Sequence, residues 1–119
     1  MRCLLTALLV GSISLPAVAD PSQWAAALHA EAMARVPAYA NEGNTKAMIA
    51  CIHWPGDAEG SPRIAFVTTR ISDIGLGKPV PIQRLRMNAM RDCLGRAGAV
   101  GCDCASLDEA GRNTLRLPR

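Results

Sequence analysis

Aromatic side chains are nearly missing from this 119-residue chain: Trp24, Trp54, Tyr39 and Phe66 make up 3% of it. Proteins that hold single-stranded nucleic acid place stacking aromatics among basic groups, so this composition argues against nucleic acid as a partner. Charge of one sign is lacking too. Thirteen Lys and Arg stand against ten Asp and Glu, a formal +3, too weak a field to imply an acidic partner by itself. With charge low and apolar residues at 50%, long disorder is not expected. There is no internal repeat and no low-complexity segment, and the length suits one small domain. Catalytic signatures are absent as well. No Ser-His-Asp order, paired-carboxylate motif or HExxH occurs, and Gly75-Leu76-Gly77-Lys78 lacks the earlier glycine and the following Ser or Thr of a phosphate loop.

What is present first is an export signal. Arg2 supplies a short positive start, and Leu4, Leu5, Ala7, Leu8, Leu9, Val10, Ile13 and Leu15 form the apolar stretch. Ala17-Val18-Ala19 is a small-x-small cleavage site. The apolar run covers about a dozen residues where a spanning helix needs about 20, and no later stretch could span a bilayer. Residues 1–19 are therefore expected to be a signal peptide of bacterial type, with residues 20–119 a single mature domain that is periplasmic or secreted. Cys3 leaves with the signal, and the mature chain keeps a net +2.

Four cysteines remain, Cys51, Cys93, Cys102 and Cys104. An even number in a small exported chain reads as two disulfide bonds, with three pairings possible. Cys102 and Cys104 project from one face of an extended strand, and a bond between them would close a very small strained ring. Each is thus expected to reach a distant partner. Cys93 with Cys104 is the locally easiest closure, which leaves Cys51 with Cys102.

Asp20-Pro21-Ser22-Gln23 reads as a helix start, with Asp20 as N-cap and Pro21 at the first helical position. Trp24, Leu28, Ala32 and Val36 form one apolar stripe on a helix that stops before Pro37. After the Asn41-Glu42-Gly43-Asn44 turn, Thr45 to Trp54 fits a buried strand, and Arg63 to Ser72 a second strand of the same hairpin. Asp73 to Pro81 is a connector rich in Gly and Pro. Ile82, Leu85, Ala89, Cys93 and Ala97 fall at helical spacing, which predicts an amphipathic helix to about Gly95. Cys102 to Leu107 and Asn113 to Leu117 read as two closing strands around a turn at Glu109-Ala110-Gly111. The expected fold is α+β: an N-terminal helix, then ββαββ, with one antiparallel sheet packed on the Cys93 helix and stapled by disulfides.

Cys51 and His53 share a strand face, so an imidazole could lie beside a sulfur, but an exported cysteine is normally oxidised and no thiol-hydrolase signature surrounds the pair. Cys102-Asp103-Cys104 could act in redox exchange or as a soft-metal clamp, with Met33, Met48, Met87, Met90, His29 and His53 as further ligands. Its spacing matches neither zinc-finger nor thioredoxin patterns, so no metal or cofactor is expected. His29 reads as a surface residue. Arg84, Arg86, Arg91 and Arg96 read as a solvated face that could meet an anionic partner.

Tyr39, the Lys46-Ala47 strand start, Ala89, the helix cysteine Cys93 and the strand cysteine Cys102 or Cys104 together carry a resemblance. Over about the last 80 residues the chain resembles a type of small uncharacterised bacterial secreted domain, from which it departs by adding Cys51 and a second strand cysteine. The resemblance implies a helix-to-strand cysteine pairing and no activity. The expected role is a binding protein of the bacterial envelope rather than an enzyme. The alternatives are a periplasmic thiol-redox or copper-handling protein, and an inhibitor or immunity protein against an envelope enzyme or toxin.

Overall fold

The computed structural model describes residues 21–56, 60–72 and 80–116. The expected signal segment 1–19, the expected Asp20 cap, the expected loop at 75–78 and the expected strand end at Leu117 lie outside them. In chain order the elements are α1 (Pro21–Arg35), α2 (Pro37–Ala40), β1 (Lys46–His53), β2 (Arg63–Ile71), α3 (Ile82–Val100), β3 (Asp103–Glu109) and β4 (Arg112–Asn113). The class is α+β with a four-stranded sheet in the order β2-β1-β3-β4, and every pairing is antiparallel. Cys51–Cys102 and Cys93–Cys104 are the two disulfides.

β1 lies between β2 and β3, and seven of its eight residues are buried. Its uninterrupted apolar run is what a strand covered on both faces needs, and both faces are covered. On one side Met48, Ala50 and Ile52 join Leu28 and Ala32 of α1 and Tyr39 of α2. On the other, Ile49 and Cys51 join Ala89, Cys93 and Ala97 of α3. The Cys93 helix packs on one face of the sheet as expected, and α1 and α2 cover the second face, a cover that the sequence reading did not include. Proline at position 37 does end α1, but the chain then starts a further helical turn that the periodicity did not indicate. Pro37 takes the first helical position, where a missing N–H costs nothing.

Helix α3 runs past Gly95 and Gly98 to Val100 and closes with Gly101 in the left-handed conformation, φ 83°. A helical glycine costs about 1 kcal/mol relative to alanine. The buried stripe Leu85, Ala89, Cys93, Ala97 outweighs that and carries the helix a turn beyond the expected end. The closing strand is shorter than expected. After Asn113 the chain leaves the sheet, Asn113 Oδ1 accepts from the Leu115 amide at 2.9 Å, and Leu115 turns into the α1-side core.

Candidate functional site

Two constellations emerge from this frame, a buried polar cluster beneath α1 and α2 and a cationic outer face on α3.

The polar cluster centres on Asp108, which is fully buried. Strand alternation from Cys104, which packs on the α3 side, would send residues 106 and 108 to that side as well. Between Met48 and Ile49 the β1–β3 register shifts, so Met48 pairs with Asp108 but Ile49 with Ser106. This bulge at Leu107 turns Asp108 toward α1 and α2, the re-aiming of a side chain that bulges produce. There its Oδ1 faces His29 Nε2 at 2.8 Å, and its Oδ2 accepts from the Tyr39 hydroxyl at 2.5 Å and the Gly111 amide at 3.0 Å. The last bond holds a two-residue turn in which Ala110 (φ 55°) and Gly111 (φ 87°) are both left-handed. That conformation matches the twist of a hairpin and is costly for alanine.

Lys46, also buried, donates to the carbonyls of Tyr39 (2.8 Å) and Ala40 (3.2 Å) at the end of α2, with Nζ 4.7 Å from the Tyr39 ring centroid. A buried ammonium must be compensated, and the carbonyls and the ring face do so. Burial first, then the hydrogen bond to Asp108 and its charge, hold the Tyr39 hydroxyl far above the ordinary phenol range. The tyrosine is therefore a fixed proton donor. Three groups from separate elements converge on the carboxylate, so it clamps α1, α2 and the β3–β4 turn together. Sequence reasoning missed the cluster: His29 read as a surface residue, yet its side chain is only 19% exposed and bonded to Asp108. Tyr39 and Lys46, which carry the resemblance, are in contact here.

The four arginines of α3 do not act as one solvated face. Arg86 pairs with Glu109 at 2.9 Å, and Arg96 lies over the Phe66 ring, 4.0 Å from its centroid. Arg84 and Arg91 have no side-chain partner among the described residues. Beside them Met87 and Leu94 are 60% and 61% exposed, seven residues apart on the outer side of the helix, away from the buried stripe. Two shallow hollows flank this pair, of about 460 Å³ against Pro81, Gln83, Arg84 and Asn88 and about 410 Å³ against Arg86 and Met90.

Cys51, Cys93, Cys102 and Cys104 are all bridged, so Cys51, two residues from His53, holds no thiolate in this form. The thioethers and imidazoles that could have ligated a metal are dispersed. Met48 and Met33 pack in the α1-side core, Met87 lies on the outer face of α3, His29 is held by Asp108, His53 is the last residue of β1, and Met90 packs against the cysteine cluster. No helix of the described residues is long and apolar enough to cross a membrane. Comparison with family models, with curated proteins and with solved structures returns no match.

Proposed function

We propose that the mature chain is a periplasmic or secreted binding protein of the bacterial envelope. Its docking surface is the outer face of α3, which takes an acidic protein segment carrying apolar side chains. One observation carries this reading. Met87 and Leu94 are both well exposed, with Arg84 and Arg91 beside Met87 and Arg91 beside Leu94, and neither arginine has a side-chain partner among the described residues. Methionine adapts its shape to a partner, and arginine binds carboxylates through a planar fork. An apolar pair edged by cations complements an acidic segment with two apolar anchors. The two disulfides are compatible with the oxidising compartment that the expected signal implies, and intact mass of exported protein should show a chain beginning at Asp20.

Site-specific photo-crosslinking in the envelope tests the proposal. A crosslinker at position 87 or 94 should capture the same protein, while one at Gln23 on α1 should not. Exchanging Arg84 and Arg91 together for Glu should lower affinity for that protein at least tenfold, and added salt should weaken binding. Equal capture from position 23, or affinity unchanged by the double exchange, would refute the docking face. Capture of an exported hydrolase or toxin would place the chain among inhibitors.

A further inference from the structure

We propose that, with its bridges reduced, the chain holds one thiolate-seeking d10 ion, zinc or copper(I). Cys51, Cys93 and Cys104 are the converging ligands and Cys102 the fourth. This site is separate from the outer face of α3 and does not depend on it.

Three elements deliver the converging sulfurs: Cys51 from β1, Cys104 from its paired position on β3, and Cys93 from the buried stripe of α3. Their Sγ atoms all lie within 4.8 Å of one another. Cys51 Sγ and Cys104 Sγ, which belong to different bridges and carry no proton, are 3.9 Å apart. Thiolates bound tetrahedrally at about 2.3 Å from zinc stand slightly under ~4 Å from one another, so this pair already has the spacing of two ligands on one ion. Cys51 Sγ lies within 4.8 Å of both atoms of the Cys93–Cys104 bridge, beside that bond rather than beyond its end. That is the place of a co-ligand, not of a thiolate attacking in line. Cys102 Sγ is bonded to Cys51 Sγ but stands outside the converging group, so it turns in as the fourth ligand once that bond is reduced.

The surroundings favour a soft ion. Ile49, Ala89 and Ala97 are buried around the sulfurs, with Ala65, Phe66 and Met90 packed against them. Among the described residues the converging group consists of sulfurs alone, so the donor set suits zinc or copper(I) and not magnesium or calcium. The chemistry balances with a dithiol as reductant. Each bridge accepts two electrons and two protons from one dithiol, which leaves as its own disulfide. Binding then replaces S–H bonds by metal–sulfur bonds and releases the thiol protons to solvent.

The test uses the mature chain reduced by an excess of a phosphine without oxygen, with cobalt(II) as a visible probe that zinc then displaces. One ion per chain should bind, with the charge-transfer absorption of thiolate ligation. Affinity should fall at least tenfold for Cys93→Ser, and at least tenfold for the parent chain in concentrated urea, because the fold gathers the sulfurs. Absence of the thiolate band overturns the proposal. So does equal affinity in urea, or in Cys93→Ser, because either shows that the folded arrangement contributes nothing to binding.

Discussion

The Tyr39 hydroxyl donates to Asp108 Oδ2 at 2.5 Å across 69 residues of sequence, and both side chains are buried. Because His29 and Gly111 also bond that carboxylate, one acceptor ties together two helices and the closing hairpin. Loss of the phenol proton would set two anions against each other in a medium that screens them poorly.

Stability should consequently fall at alkaline pH. Below the ordinary phenol value of 10.0 both folded and unfolded chains keep the proton, and Tyr39 contributes no pH dependence. Above it the unfolded chain releases the proton while the folded chain holds it, so the unfolded state binds fewer protons and stability drops by about 1.4 kcal/mol per pH unit. Urea unfolding between pH 9 and 11.5 should show this slope, and Tyr39→Phe should lack it. Tyr39 is the one tyrosine in the chain, so phenolate absorbance should appear with unfolding rather than near pH 10.

Removing the acceptor should cost more than removing one donor. Asp108→Ala leaves the Tyr39 hydroxyl, the Gly111 amide and His29 without their partner, a loss of about 3–5 kcal/mol. Asp108→Asn keeps one oxygen in place and should lose less. Denaturant midpoints for the two variants measure the difference, and equal midpoints would show that the carboxylate is not the clamp.

The two disulfides should differ in worth. Cys51–Cys102 spans 51 residues and Cys93–Cys104 spans 11, which in the chain-entropy treatment corresponds to about 4 and about 3 kcal/mol. Replacing the first pair by serine should therefore destabilise more than replacing the second. Peptide mapping without reduction should recover these two pairs, and recovery of Cys51 joined to Cys104 would contradict the structure.

Glycines on α3 should respond in opposite directions. A Cβ at Gly95 would meet nothing within 4 Å, so Gly95→Ala should stabilise the chain by about 0.5–1 kcal/mol. Gly101 caps the helix at φ 83°, where Gly101→Ala should destabilise by about 1 kcal/mol. Thermal unfolding of the two variants reads both signs.

Periodicity made several features legible. The repeat of Leu85, Ala89, Cys93 and Ala97 predicts a helix face, and those four are the buried face of α3. The apolar run after Thr45 predicts a buried strand, which β1 is; that both of its faces are covered emerged only with α1 and α2 in place. Spacing alone set Cys102 and Cys104 on one face with separate partners, and both lie on the α3 side of the sheet. These features are local, since a repeat of 3.6 or 2 residues places a side chain without reference to the rest of the molecule. Other features needed the assembled sheet. Asp108 reaches His29 and Tyr39 because of the bulge at Leu107, and no residue type at that position announces a register shift. Arg86 and Arg96 are engaged by Glu109 and Phe66 while Arg84 and Arg91 face outward, a division that depends on which strand lies beneath each turn of α3. The sequence by itself determined the spacing of the apolar and cysteine side chains. The tertiary structure decided the partners of the polar ones, because a buried donor or acceptor must find its match wherever packing brings another chain segment.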